Sequence, residues 1–201
     1  YHWLGYYKDD AQTKAFVLFI QGNGCPLVQK RIPELNRLQE TYASQGIRFW
    51  MINPNSQDTR EEVAEEMAAF GSEIPTLMDS AQLVAQTLGV ERTAQALLVQ
   101  ADDWKVMYRG AIDDRLSYEA ELPEARETYL RDAIDAFLAG ESIEVASHEG
   151  PGCKISFPAQ RGFARNGVSY SEDIAPMLLN HCVPCHNPNG IGPFSLSSYR
   201  K

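Results

Sequence analysis

The sequence has few basic residues and lacks any long hydrophobic run. Lysine and arginine number 18 against 27 aspartates and glutamates, which gives a net charge of −9. This negative charge argues against nucleic acid and against an anionic membrane surface as partners. No stretch approaches the roughly 18 consecutive apolar residues of a membrane-spanning helix. We therefore expect no membrane span in this chain.

Internal repeats, low-complexity tracts and a secretory signal are also missing from the sequence. The chain begins at Tyr1 without a methionine, so we expect that an earlier segment was removed or lies outside this sequence. Its 201 residues, 44% of them hydrophobic, are enough for one large globular domain or two small ones.

Cysteine and histidine are scarce, with four of each, yet three of these residues fall in the pentapeptide Cys182-Val183-Pro184-Cys185-His186. Residues i, i+3 and i+4 share one face of a helical turn. Both thiols can therefore add to the vinyl groups of a haem while the histidine reaches its iron. A chance match has odds of roughly one in a thousand. A zinc ribbon needs a second ligand pair, and a redox dithiol of this spacing follows a buried strand, which is missing before Cys182.

The pentapeptide predicts one covalently attached haem c, bound through Cys182 and Cys185, with His186 as the proximal iron ligand. The sixth ligand stays open. Met177 precedes the motif and is better explained as a core residue of a short helix. His181 faces away from His186 on a helix and is better explained as a surface residue. Water or a ligand donated by a partner are the other possibilities.

Haem c is attached outside the cytoplasm, so we expect a periplasmic or otherwise extracytoplasmic location. The two remaining cysteines, Cys25 and Cys153, could form a disulfide there. Cys153 follows Gly150-Pro151-Gly152, which predicts an exposed turn, and a free exposed thiol does not persist in an oxidising compartment. We prefer a pair between Cys153 and Cys25. The alternative is that both stay reduced, with Cys25 a small core residue.

Hydrophobic periodicity predicts alternating strands and helices over the first 140 residues. Continuous apolar runs at Ala15–Ile20 and 47–52 predict buried strands. Further strands are predicted at 74–78, 94–100 and 105–112, with an edge strand and turn in 1–14, and helices are predicted at 26–44, 59–70, 80–88 and 123–138. The order β-α-β-α-(α)-β-β-α predicts an α/β domain with a single sheet.

Periodicity is lost over residues 141–168, which gain glycine, proline and arginine. This composition predicts a linker, or an arm packed across the first domain, that carries Cys153. A short helix is predicted at 174–182, with Pro176 near its first turn, and residues 187–201 are predicted to form a loop.

The element order, with Cys25-Pro26 after the first buried strand, resembles the thioredoxin-like redoxin domains. The resemblance covers residues 1–140 and rests mostly on 15–52. It implies an α/β, thioredoxin-like three-layer fold, in which the cysteine that begins the first long helix is redox-active. That cysteine is Cys25, and a helix N-terminus favours the thiolate.

The sequence departs from two patterns within this family. Thioredoxins have a second cysteine three residues after the first, and that position is Val28 here. The tryptophan that usually precedes the first cysteine is replaced by Gly24. The family also has a cis-proline near Thr93-Ala94, and no proline occurs there. The proline and the threonine or serine that precede a peroxidatic cysteine are Leu18 and Gly22 here. These departures weigh against dithiol oxidoreductase and peroxidase chemistry, and they leave Cys153 as the available partner for Cys25.

Five charged residues could surround the Cys25 thiol: Arg92, Arg109, Asp113, Asp114 and Arg115. The simpler interpretation is that they are solvated charges at the ends of strands and turns.

The segment 168–201 resembles the start of a class I cytochrome c domain. Such modules follow redoxin domains in bacterial multidomain redoxin proteins. A complete module is usually longer, so we expect the chain to be a piece of a larger protein, or the haem to be partly covered by another surface.

We therefore expect three segments: a redoxin domain at 1–140, a linker or arm at 141–168, and an incomplete c-type cytochrome segment at 169–201. The leading functional interpretation is an extracytoplasmic electron-transfer protein with haem c and a degenerate thioredoxin-like domain. One alternative is a thiol oxidoreductase or peroxidase that acts through Cys25 with haem as electron relay. The other is a structural redoxin domain that presents a cytochrome module. Expected partners are redox proteins or further domains of a longer protein.

Overall fold

The computed structural model describes residues 12–157, 169–188 and 195–196, and the chain divides into two compact units between Ser156 and Phe157. The first unit therefore continues past residue 140, where the sequence placed the end of the first domain. Most of the predicted strand and turn in 1–14 lies outside the described residues. So do residues 158–168 of the predicted arm and most of the loop after residue 187.

The first unit is built on a mixed sheet, six-stranded over the described residues. Its strands are β1 (Ala15–Ile20), β2 (Ile47–Asn53), β3 (Thr76–Met78), β4 (Ala96–Gln100), β5 (Val106–Gly110) and β6 (Ser147–His148). The order across the sheet is β3-β2-β1-β4-β5-β6. Strands β1 to β3 are parallel, β4 is antiparallel to β1 and β5, and β6 is parallel to β5. The sequence does not predict β6, because two residues are too few to show a period.

The helices of the first unit lie close to their predicted positions. They are α1 (Pro26–Tyr42), α2 (Arg60–Ala69), α3 (Leu83–Leu88) and α4 (Tyr129–Ala139). The predicted capping box of α2 is present, since Thr59 and Glu62 bond reciprocally. The predicted start of α4 at residue 123 is wrong. The Asp114 carboxylate accepts from the amides of Arg126 and Glu127 and holds that segment in a turn.

Strand β1 lies at the centre of the sheet and is buried on both faces, with every residue at most 2% exposed. Successive side chains point to opposite faces of a strand. Val17 and Phe19 belong to the core cluster that includes Val28 of α1. On the opposite face Phe16 stacks on Trp104, with ring centroids 5.7 Å apart. Burying each such side chain contributes about 1.5–3 kcal/mol, so β1 anchors the sheet and fixes where its carboxyl end lies.

The carboxyl end of β1 is flanked by the turn that precedes β4. The amide of Ile20 donates to the carbonyl of Gln95 at 2.8 Å, and the amide of Ala94 donates to the carbonyl of Ile20 at 2.7 Å. These two hydrogen bonds place Thr93 beside the loop that leads from β1 to α1.

The second unit contains a π-helical turn (Tyr170–Ile174) followed by α5 (Ala175–His181). A proline occupies the first turn of α5, as the sequence predicts, because that turn does not need the missing amide.

Candidate redox site

Cys25 begins α1. It has an extended backbone, with φ −80° and ψ 113°, and Pro26 follows in the first helical turn, where proline is favoured. Its side chain is 5% exposed and belongs to the core cluster. The cysteine therefore lies at the helix start, as the sequence predicts, but its sulfur is turned away from solvent.

The loop before Cys25 is held by a carboxylate of α2. Glu66 Oε1 accepts from the amide of Gly24 at 2.8 Å and from Nε2 of Gln29 at 2.7 Å. Its Oε2 accepts from Nε2 of Gln21 at 3.2 Å. One half-buried side chain thus fixes both the loop and the first turns of α1. Sequence reasoning missed Glu66, since its spacing from Cys25 carries no signal.

A second carboxylate supports the same loop. Asp58 Oδ2 accepts from the amide of Asn23 at 2.9 Å and from the side-chain amides of Asn53 and Asn55 at 2.8 and 3.1 Å. The end of β2 and the loop before α1 therefore share one acceptor.

The structure brings Cys153 to Cys25, 128 positions earlier in the chain, with the two Sγ atoms 2.6 Å apart. Cys153 is half-buried and does not lie in the exposed turn that its neighbours predict. The expectation of an exposed turn fails because residues 149–156, here called the Cys153 arm, pack against the segment before β4.

The Cys153 arm runs antiparallel to residues 91–93. The amide of Thr93 donates to the Cys153 carbonyl at 2.9 Å, and the amide of Ile155 donates to the Glu91 carbonyl at 2.9 Å, with a bridge between Arg92 and Lys154. Backbone pairing therefore fixes the register that sets one sulfur beside the other.

Thr93 links the two cysteines. Its Oγ1 lies 3.2 Å from Cys25 Sγ and accepts from the amide of Cys153 at 3.0 Å. Its methyl group lies against Gly22, where an added Cβ would stand 2.7 Å away, so no larger residue fits there. The next residue, Ala94, has a left-handed φ of 59°. Sequence reasoning marked Thr93-Ala94 only for its missing proline.

The environment separates the acidities of the two thiols. Burial raises the pKa of Cys25, but hydrogen bonds to its sulfur from Cys153, Thr93 and the amides of Val28 and Leu27 outweigh burial, so the pKa is lowered. Burial and the neighbouring Cys25 sulfur raise the pKa of Cys153. When the reduced pair loses one proton, Cys25 is therefore the thiolate and Cys153 stays a thiol.

Of the five charged residues that could surround Cys25, Arg92 contacts the Cys153 arm. Arg92 Nη1 donates to the Gly152 carbonyl at 3.2 Å, and its guanidinium lies 6.0 Å from the ring centroid of Tyr118. The other four make different contacts: Arg109 with the Leu88 and Gly89 carbonyls, Arg115 with Glu121, Asp113 with Arg31, and Asp114 with the amides before α4. None of these four contacts involves Cys25, which agrees with the simpler interpretation except at Asp113, which is buried against Arg31 and is not a solvated charge.

The haem-attachment residues lie at the end of α5. The amide of Cys182 donates to the Leu178 carbonyl at 2.9 Å, and the amide of His186 donates to the Cys182 carbonyl at 2.8 Å. The helix itself ends at His181, and the hydrogen bond between His186 and Cys182 closes a single further turn over the motif. Cys182 and His186 are half-buried and Cys185 is exposed. Two thiols and an imidazole on one turn are the donor set that haem c needs, so the residues present fit this group.

Two side chains near the motif bear on the sixth haem ligand, which the sequence leaves open. Met177 is 50% exposed, so the interpretation as a core residue fails, because little of the second unit's described part covers it. His181 is exposed, as expected for a surface residue.

The part of the chain that the structure describes contains no group of three or more His, Cys, Asp or Glu placed to hold a metal ion. No helix there is long and apolar enough to cross a membrane.

Comparison with solved structures gives the fold. The chain matches a hypothetical protein from Sinorhizobium meliloti 1021 with 29% identity and a TM-score of 0.61, over 76% of this chain and 82% of that one. An uncharacterized conserved protein from Geobacillus kaustophilus matches with 28% identity and a TM-score of 0.61, over 74% and 80%. A candidate thiol:disulfide interchange protein DsbE from Chlorobium tepidum matches with 17% identity and a TM-score of 0.51, over 65% and 84%.

The first unit therefore has a mixed α/β, thioredoxin-like fold with a central sheet, which confirms that part of the predicted fold class. The AhpC/TSA family model matches residues 6–114, more than half of the chain, and the protein belongs to that family. No curated protein matches this sequence. The cytochrome-like nature of the second unit stays a prediction.

Proposed function

We propose that this protein is a thiol–disulfide redox protein in which Cys25 and Cys153 cycle between a dithiol and a disulfide. The observation that carries the proposal is the 2.6 Å separation of the two sulfurs, in a member of the AhpC/TSA family with a thioredoxin-like fold. A disulfide needs sulfurs about 2.05 Å apart, so a small movement joins them. Cys153 supplies the second thiol that Val28 does not provide.

The net reaction conserves atoms and electrons. The two thiols lose two electrons and two protons as the Cys25–Cys153 bond forms, and a disulfide of a redox partner takes them up to become a dithiol. Thr93 and the first amides of α1 hold the negative charge on Cys25 while the bond exchanges. The reverse reaction oxidises a partner dithiol.

We propose in addition that Cys182 and Cys185 attach one haem c and that His186 binds its iron. When bound, this group accepts and donates single electrons. The support is the donor set on one helical turn, together with exposed apolar side chains in the same unit, Met177, Leu179 and Leu196. Haem attachment and a stable disulfide both favour an extracytoplasmic location. Redox proteins or further domains of a longer protein are the proposed partners.

The dithiol proposal is tested by counting thiols. The protein is denatured before alkylation, so that burial does not protect a reduced thiol. We expect Cys25 and Cys153 of the air-oxidised protein to resist alkylation and both to react after reduction with dithiothreitol. Cys153→Ser should leave Cys25 reactive without reductant. Assays of insulin reduction and of peroxide consumption then separate disulfide exchange from peroxidase activity. Alkylation of both Cys25 and Cys153, identified by mass spectrometry of their peptides, in the air-oxidised protein would reject the proposal.

The haem proposal is tested by a visible spectrum of the protein, oxidised and then reduced with dithionite, after production in a host that attaches haem c. We expect the absorbance to survive extraction with acidic acetone, and the mass to rise by one haem. The control is the double variant Cys182→Ser/Cys185→Ser, which should be colourless. Complete loss of colour from the unaltered protein on extraction would refute covalent attachment.

A further inference from the structure

The two cysteines of the pair differ in their exposure to solvent. Cys25 is 5% exposed and belongs to the core cluster, whereas Cys153 lies half-buried against that cluster. A partner thiolate must approach a disulfide along the axis of its S–S bond, so access decides which sulfur can be attacked. On access alone, the reachable sulfur is that of Cys153.

Backbone pairing and close packing hold the Cys153 arm in place beside Cys25. Its pairing with residues 91–93 occupies the backbone groups beside the thiol. Gly152 is buried so closely that an added Cβ would stand 2.0 Å from the Thr93 carbonyl oxygen. The Tyr118 hydroxyl donates to the Gly152 carbonyl and accepts from its amide, each at 3.1 Å. These contacts keep another polypeptide from pairing next to Cys25 while the arm is in place.

The first part of the arm, in contrast, borders open space. A cleft of about 740 Å³ is lined by Gly150 and Pro151 of the arm and by Arg92 and Tyr118, among others. Pro151 lies two positions before Cys153 in the chain. The cleft therefore gives a partner polypeptide room next to the arm that carries Cys153.

The chemistry of the leaving group agrees with this geometry. Exchange is faster when the departing thiol has the lower pKa. Burial raises the pKa of Cys25, but hydrogen bonds from Cys153, Thr93 and the amides of Val28 and Leu27 lower it overall, while burial and the Cys25 sulfur raise the pKa of Cys153. The hydrogen bonds from Thr93 and from the amides do not need the Cys153 proton. They therefore remain to stabilise a departing Cys25 thiolate when Cys153 is in a mixed disulfide.

We propose that a partner thiol attacks the Cys25–Cys153 disulfide at the Cys153 sulfur, so that Cys153 carries the mixed disulfide and Cys25 leaves; this rests on the exchange proposed above. The partner sulfur–Cys153 bond forms as the Cys25–Cys153 bond breaks, and the electron pair stays on Cys25. A second partner thiolate then attacks the partner's own bonded sulfur and releases Cys153, which takes up a proton. The partner ends as a disulfide. The helix-start cysteine is thus the stabilised leaving group.

The test maps one round of exchange with glutathione as the probe. The oxidised full-length protein is mixed briefly with glutathione, quenched in acid, denatured, alkylated with N-ethylmaleimide and digested for mass spectrometry. We expect glutathione on the Cys153 peptide and N-ethylmaleimide on the Cys25 peptide, with at least about tenfold selectivity for Cys153, which corresponds to about 1.4 kcal/mol. If glutathione is found mainly on Cys25, or in equal amounts on Cys25 and Cys153, Cys153 is not the attacked sulfur, while the proposed exchange function stands. Absence of exchange at both cysteines overturns the proposed function together with this assignment.

A variant tests whether the arm shields Cys25. Tyr118→Phe removes the hydroxyl that holds Gly152, and we expect a severalfold rise of glutathione on Cys25. The matched control is Tyr170→Phe in the second unit, where the tyrosine is 68% exposed against 67% for Tyr118. This control should keep the pattern of the unaltered protein. An unchanged distribution in Tyr118→Phe would overturn the shielding role of the arm.

Discussion

Thr93 Oγ1 lies 3.2 Å from the Sγ of Cys25. The same oxygen accepts a hydrogen bond from the amide of Cys153, and a hydroxyl carries one proton to donate. When Cys25 is ionised, its sulfur can only accept, so the Thr93 hydroxyl is then the donor of this hydrogen bond. A single side chain stabilises the thiolate and positions the backbone of the second cysteine.

Replacing Thr93 by valine should raise the pKa of Cys25, because the hydroxyl that donates to its sulfur is lost while the shape is kept. The measurement is thiolate absorbance at ultraviolet wavelengths against pH, in reduced protein that also carries Cys182→Ser and Cys185→Ser. Thr93→Ser keeps the hydroxyl and serves as the control, with a pKa near that of the unaltered protein. A valine variant with the same titration as the serine variant would show that Thr93 does not act on the thiolate.

The reduction potential of the pair should depend on pH in two stages. The pKa of Cys25 is lowered and that of Cys153 is raised. Below the pKa of Cys25, reduction takes up two protons; above it, Cys25 remains a thiolate and only one proton is taken up. The potential therefore falls less steeply with pH above the first pKa. Equilibration with glutathione buffers at several pH values measures this slope, and a single break at the ordinary thiol pKa would contradict the separation.

The same shift has a consequence for folding of the reduced protein. A pKa that is lower in the folded state stabilises that state when the group is ionised. For Cys25, this stabilisation is complete above the pKa of an unfolded thiol and is lost as the pH falls through the lowered pKa. Urea unfolding of reduced protein across this window should show it, and Cys25→Ser should remove this part of the pH dependence.

Arg31 and Asp113 form an ion pair inside the first unit, with side chains 2% and 5% exposed. Arg31→Met should lower the free energy of unfolding by about 3–5 kcal/mol, because it leaves the Asp113 carboxylate buried without its charge partner. Urea denaturation provides the measurement.

The control for this pair is Lys30→Ala, one position earlier on α1. Lys30 pairs with Glu121 at the surface, with side chains 51% and 38% exposed. Exposed pairs contribute at most about 1 kcal/mol, so this variant should stay close to the unaltered protein. Similar losses in the two variants would mean that burial does not decide the contribution of the pair.

Glu66→Ala should loosen the loop before Cys25, since three donors from Gln21, Gly24 and Gln29 lose their shared acceptor. Loss of a half-buried acceptor costs about 1–3 kcal/mol, and we expect slower closure of the Cys25–Cys153 disulfide. Stopped-flow oxidation by oxidised glutathione measures this rate. Glu65→Ala is the control on the exposed side of α2, and an equal rate in both variants would exclude a positioning role for Glu66.

The sequence determined the features that neighbouring residues set. The apolar run of β1 fixes a buried strand, Cys25-Pro26 marks the start of α1, and the Thr59–Glu62 box marks that of α2. The spacing within Cys182–His186 is likewise local, and its haem assignment is still a prediction. Each of these signals depends on residues within a few positions of one another, where backbone geometry dictates which side chains can act together.

Tertiary structure decided the contacts between distant segments. The sequence left open whether Cys153 pairs with Cys25, and packing of the arm against residues 91–93 sets their sulfurs 2.6 Å apart. It also selected Thr93 and Glu66 as the neighbours of the redox site, and it buried Arg31 against Asp113. None of these residues carries a distinctive local pattern. Their positions follow from the register of the sheet and from which backbone groups remain to be paired, and these are properties of the whole fold.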